Sequence, residues 1–278
     1  MKKILVPTDF SEFALNACKL AASIAKKTEA EVYFLHVATM PTYESGILPF
    51  QTQQDMAEGI HILKMIKKHF ADLFAMDFLK GVKCIEAVSF DGVYESITDQ
   101  AKKHGIDLIV MGTHGTSGFV SDYFIGSNTD KVVRMSEVPV IAIKDEVENN
   151  TFEHILFAGD FSEKIDQSFA PIKEFAELFD AKLELLHVVT KGEFFYTGPL
   201  TKRMNEFAES QGLKKYECHV FNAESVQTGI NEFASMHDVD LICTVTSGRR
   251  GLALLFNGSV TTDIVNKVHR PVLTVKVK

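Results

Sequence analysis

Two stretches of this chain repeat each other, and that repeat limits the fold more than any other feature. KKILVPTD (Lys2 to Asp9) runs on into Phe10-Ser11-Glu12, and EHILFAGD (Glu153 to Asp160) runs on into Phe161-Ser162-Glu163, 151 positions later. The same spacing relates LHVAT (Leu35 to Thr39) to LHVVT (Leu186 to Thr190). Farther along it is 133, between Ile106-Asp107-Leu108-Ile109 and Val239-Asp240-Leu241-Ile242. It becomes 132 between Gly126-Ser127 and Gly258-Ser259, and between Pro139-Val140 and Pro271-Val272. The first copy is therefore longer in its middle by 18 residues, yet the copies stay in register at both ends. The polar stretch from Asp145 to Asn150 separates them, which predicts domains over 1–146 and 151–278.

Within each copy, short apolar runs alternate with amphipathic ones. Ile4 to Val6 is wholly apolar, as a parallel strand covered on both faces must be. Ser11 stands at an N-cap position before Ala14, Leu15, Cys18, Leu20, Ala21, Ile24 and Ala25 at helical spacing. Val32 to Val37 reads as a second strand, and 52–76 as a long helix with Met56, Ile60, Leu63, Ile66, Phe70 and Phe74 on one side. Val82 to Val88 is a third strand, Val93 to Lys103 a helix and Ile106 to Met111 a fourth strand; 127–136 is a helix and Val138 to Ile143 a fifth strand. The second copy follows the same plan with a shorter second helix near 200–211. This alternation predicts the α/β class: two tandem, doubly wound, five-stranded parallel sheets of Rossmann-like type.

Composition narrows the function. A net charge of −8 and a pI near 5.7 exclude a nucleic-acid binder or a partner of anionic membranes, both of which need a basic face. Cys18, Cys84, Cys218 and Cys243 are scattered in apolar or mixed runs and read as reduced thiols in or near the core. Cys218-His219 is half of a metal pair, but no second pair of ligand spacing accompanies it, so no metal site is assigned. The apolar run at the N-terminus is too short for a signal peptide and reads as a strand, and no stretch approaches the ~20 residues of a membrane span. The expected location is the cytoplasm.

In a doubly wound sheet, ligands bind beyond the carboxyl ends of the strands where the strand order switches. Pro7-Thr8-Asp9 leaves the first strand and puts a carboxylate there. After the fourth strand come Met111-Gly112-Thr113-His114-Gly115-Thr116-Ser117-Gly118, and then Gly126-Ser127-Asn128-Thr129 at the start of a helix. Glycines let backbone N–H groups approach an anion, and a helix N-terminus adds further donors. The order is neither a Walker A loop, since no Gly-Lys-Ser/Thr follows, nor the dinucleotide GxGxxG, which belongs after the first strand.

On these residues the chain resembles the universal stress protein family in its tandem two-domain form, across nearly its whole length. The family signature G-x2-G-x9-G-Ser/Thr is read here as Gly112, Gly115, Gly126 and Ser127. The resemblance implies an adenine-nucleotide α-hydrolase-like fold with the copies related by a pseudo-twofold axis, and ATP binding, with or without Mg2+, in a stress-response or signalling protein without efficient turnover. It also implies that Asp9 contacts the nucleoside, that the Val37 backbone meets the adenine edge, and that Gly112, Gly115, Gly126, Ser127 and Thr129 cradle the phosphates. One departure is a tenth residue between Gly115 and Gly126. In the second copy Val245 replaces Gly112, so the candidate second site is partial: Asp160, Val188, Gly248, Gly258, Ser259 and Thr261.

Other residues stay subordinate. His36 and His187 recur at the end of the second strand of each copy and fit a structural role. His114 lies inside the glycine loop, and Arg249 and Arg250 on the corresponding loop are either solvated or anion-binding. Aromatics in 40–50 and 194–199 form either a lid or a contact between copies. The final apolar strands of the two copies are expected to pair, making one chain resemble a dimer; association into a further homodimer stays open, as does an unknown protein partner. No catalytic residue is assigned, because no nucleophile–base order or carboxylate pair is readable. The alternatives to an ATP-binding signalling protein are a nucleotide-independent adaptor and a slow ATP hydrolase.

Overall fold

A computed structural model of the 278-residue chain describes residues 1–38, 53–113, 126–147, 151–191, 197–246 and 270–276. The first copy runs β1 (Lys3–Pro7), α1 (Glu12–Thr28), β2 (Glu31–Val37), α2 (Gln53–Phe74), β3 (Lys83–Ser89), α3 (Val93–His104), β4 (Leu108–Gly112), α4 (Ser127–Met135) and β5 (Val140–Ile143). The second runs β6 (His154–Ala158), α5 (Glu163–Asp166), α6 (Ala170–Phe179), β7 (Lys182–Val189), α7 (Thr197–Ser210), β8 (Tyr216–Asn222), α8 (Val226–Met236), β9 (Leu241–Thr246) and β10 (Val272–Lys276).

All ten strands form one sheet in the order β3-β2-β1-β4-β5-β10-β9-β6-β7-β8. Each half is parallel, and the halves meet where β5 pairs antiparallel with β10: Val140 opposite Thr274, Ile141 opposite Leu273, Ala142 opposite Val272. The order is a palindrome of copy one against copy two, as a pseudo-twofold between β5 and β10 requires. Ile141 and Leu273 are 0% and 1% exposed, so the junction is as dry as either half, and each copy covers what would be an open edge of the other.

Local chemistry explains the elements. Ser11 caps α1 by accepting from the Ala14 N–H at 3.3 Å, and Glu29 closes the helix at φ 56°. In the second copy the matching helix is interrupted between α5 and α6. Pro171, in the first turn of α6, has no N–H to donate and its ring crowds the carbonyl four residues back, at Gln167, where α5 ends. Among the described residues, the apolar side expected along α2 is buried in its second half and exposed before it. Ile66 and Phe70 are 5% and 1% exposed, but Ile60 and Leu63 are 54% and 41% exposed. A 22-residue helix is about 33 Å long, whereas the seven-residue strands beneath it span about 23 Å, so the helix outruns the sheet.

The repeated Asp107 and Asp240 have one structural task. Asp107 Oδ2 accepts from the N–H groups of Lys2 and Lys3 at 2.6 and 3.0 Å, and Asp240 Oδ2 from those of Glu153 and His154 at 2.8 Å each. Each carboxylate fastens the start of its copy's first strand to the start of the fourth. Asp107→Ala is expected to cost about 1 kcal/mol, since the two amides turn to water instead, and Asp240→Ala about the same. Urea unfolding of the two variants checks both values.

Candidate functional site

The carboxyl ends of β2, β1 and β4 lie side by side, and β1 is the strand from which the chain winds both ways. Asp9, Val37 and Gly112 are therefore brought to one edge. The Asp9 loop is held tightly: the Thr8 N–H donates to Leu35 O at 2.8 Å, the Phe10 N–H to Thr8 Oγ1 at 3.0 Å, and the Ser11 N–H to Asp9 Oδ1 at 3.0 Å. His36 Nδ1 lies 2.8 Å from Thr8 O, and in the second copy His187 Nδ1 lies 3.1 Å from Gly159 O. The recurring histidines thus tie the end of the second strand to the loop after the first.

That loop turns through a non-glycine residue in left-handed backbone, Phe10 at φ 63° and Phe161 at φ 51°. Such a conformation is held by its surroundings. Phe10 stacks near His36, His69 and Phe70 at centroid distances of 4.8, 5.0 and 5.1 Å. Phe161 packs on Phe157 and Phe207.

The other half of the edge is the entrance to α4. The Gly126 N–H donates to Thr113 O at 2.8 Å, and Thr129 Oγ1 donates to Gly112 O at 2.9 Å. These two bonds dock the first turn of α4 onto the end of β4. Thr129 is 4% exposed and spends its hydroxyl on this link, while Ser127 is exposed. Among the described residues no side-chain cap closes α4, unlike α1, so its first-turn amides and the positive end of its dipole lie at the switch point. Gly112 has a reason of its own: a Cβ there would come within 2.8 Å of the Phe13 backbone, so only glycine lets β4 approach the start of α1. Gly115 and His114 lie outside the described residues.

In the second copy, Asp160 repeats the turn, accepting from the Ser162 N–H at 2.9 Å. Val188 is 7% exposed and packs so closely on α8 that a Cβ at Gly229 would meet its methyl at 2.6 Å; Val37 is more open. Gly248, Arg249, Arg250, Gly258, Ser259 and Thr261 lie outside the described residues, as does most of both aromatic loops.

Comparison with known proteins decides the family. A profile described as the universal stress protein family matches residues 1–144 and again 151–276. The chain belongs to the universal stress protein family. Universal stress protein MJ0531 of Methanocaldococcus jannaschii is 33% identical over 152 residues, 51% of this chain and 82% of that protein. The tandem arrangement is shared with universal stress protein Slr1230 of Synechocystis, 24% identical over 297 residues and 99% of each chain. The fold matches the crystal structure of a universal stress protein from Archaeoglobus fulgidus, with a TM-score of 0.71, 21% identity, and 99% and 96% of the two chains covered.

In this universal stress protein burial disfavours the thiolate form of all four cysteines. Burial pushes the Cys18 thiol up to about 12 and the Cys243 thiol well above the ordinary range; burial also raises Cys84 and Cys218, which are partly exposed. A thiol is nucleophilic only as thiolate. Native protein at about pH 8 is expected to alkylate slowly, first at Cys84 and Cys218, with Cys18 and Cys243 modified only on unfolding; peptide mass spectrometry reads the order. No helix among the described residues is long and apolar enough to cross a membrane.

Proposed function

We propose that the first copy binds an adenine nucleotide, ATP with or without Mg2+, as a sensor without efficient turnover in a cytoplasmic stress-response protein. The observation that carries this reading is the uncapped start of α4, clamped to β4 by Gly126 and Thr129 at the switch point of the sheet. Backbone amides directed at an anion, with no carboxylate among the described residues capping them, favour phosphate oxygens by hydrogen bond and dipole together. Gly126 and Ser127 supply donors there, Gly112 lets β4 approach the start of α1, Gly115 is assigned to the phosphates with them, and Thr129 acts by holding the clamp. Asp9 and the backbone of Val37 complete the nucleoside side, one strand over.

The domains are taken as 1–146 and 151–278, and only the first is loaded. Val245 stands where Gly112 would be, and Val188 is packed under α8, so Asp160, Gly248, Gly258, Ser259 and Thr261 form a remnant of the site. Calorimetry with ATP, with and without Mg2+, is expected to give one site per chain, and protein purified without added nucleotide is expected to absorb in excess near 260 nm where ATP is retained. Absence of both signals removes the reading; two equal sites would remove the asymmetry.

A further inference from the structure

The outer edge of the second copy holds a polar cluster that the fold does not require. Glu184 is 3% exposed on β7, and the equivalent position in the first copy, 151 residues earlier, is Tyr33. Opposite Tyr33, and two residues on, β3 carries Ile85 and Ala87; opposite Glu184, and two residues on, β8 carries Glu217 and His219. The same corner is thus centred once on a tyrosine, whose hydroxyl donates to Glu31 and whose ring meets His104, and once on a buried carboxylate, which is costly unless charge or hydrogen bonds meet it.

Mixed nitrogen and oxygen donors converge on that carboxylate. His219 Nε2 lies 2.7 Å from Glu184 Oε2, and His154 Nδ1 lies 3.4 Å from Oε1. The ligand atoms of Glu184, Glu217 and His219 all fall within 4.8 Å of one another. The Phe233 ring, 4.8 Å from that of His219, backs the imidazole. Lys182 Nζ lies between the acids, 3.0 Å from Glu184 and 2.6 Å from Glu217, where a cation balances both. Tetrahedral bonds of about 2.0–2.2 Å place ligand atoms roughly 3.3–3.6 Å apart, so the three ligand atoms, each within 4.8 Å of the others, need to draw in by at most about 1.5 Å. Lys182 is 38% exposed on a flexible stem and has solvent to move into.

We propose that Glu184, Glu217 and His219 bind a zinc-class divalent cation, with solvent as the fourth ligand and Lys182 holding the seat in its absence. Imidazole and carboxylate together suit Zn2+. The site lies at the amino ends of β6 and β7, the opposite end of the strands from the nucleotide edge, and is independent of it.

The full chain, treated with chelator and free of nucleotide, is titrated with Zn2+ by calorimetry and with Co2+ by visible absorption. One ion per chain is expected, with the d–d bands of a four-coordinate nitrogen–oxygen site. His219→Ala and Glu184→Gln are each expected to weaken binding at least about tenfold. Lys182→Met is expected to tighten it, because the competing ammonium is gone. Circular dichroism reports whether each variant folds; should Glu184→Gln unfold, the partly exposed His219 and Lys182 carry the test. No saturable Zn2+ uptake, or equal affinity in His219→Ala, overturns the site, and no tightening in Lys182→Met overturns the role given to the lysine.

Discussion

The Gly126→Asp variant is expected to keep or slightly raise its melting temperature while its affinity for ATP falls about a hundredfold, roughly 2.8 kcal/mol. The two effects separate because one atom group does opposite things in the two states. Gly126 sits at φ −56° and ψ 140°, a conformation aspartate adopts without strain. A carboxylate at this N-cap accepts from the first-turn amides and meets the helix dipole, which is worth a few tenths of a kcal/mol over glycine. It also fills the place assigned to phosphate oxygens with negative charge, and like charges brought together cost several kcal/mol. Gly126→Ser keeps the cap without the charge and is expected to lose less. Calorimetry and thermal unfolding on the same samples read both quantities; ATP bound within twofold of wild type by Gly126→Asp removes the phosphate from the end of α4.

Gly112→Val is expected to act on stability first. The added Cβ meets the Phe13 carbonyl carbon and oxygen at 2.8 Å, and backbone cannot swing aside as a side-chain tip can. Overpacking of this kind costs about 1–3 kcal/mol, and a β-branched residue belongs at the upper end. At about 2–4 °C per kcal/mol the melting temperature drops by roughly 6–12 °C. Gly198→Ala is the control, because a Cβ there meets nothing within 4 Å and lies within α7. A Gly112→Val protein as stable as wild type means that β4 and α1 can part at no cost.

Gly112 shows how a correct motif carries a reason the sequence does not display. The spacing marks it as a phosphate-loop glycine; the packing adds that it is the only residue type that fits against α1. Thr129 is similar, since a hydroxyl near a helix start reads as an anion donor and in the structure serves the Gly112 carbonyl. Cys218 and His219 look adjacent enough to share a metal. Neighbours on a strand point to opposite faces, so Cys218 Sγ turns toward Asn205 of α7 at 3.7 Å while His219 turns toward Glu184 and Phe233. The break between α5 and α6 was legible at Pro171, and the continuous helix expected there ignored it.

The repeat by itself determined the number of copies, the alternation of strand and helix, and which loops reach the carboxyl ends of the strands, because all of these follow from periodicity along the chain. The expected pairing of the last strands followed from the family resemblance. Tertiary structure alone decided what each side chain faces: the amides that Asp107 and Asp240 receive, the wall against Gly112, the buried Glu184 and its histidines. Those partners lie tens of residues apart, and strand register and helix packing, which no local pattern encodes, bring them together.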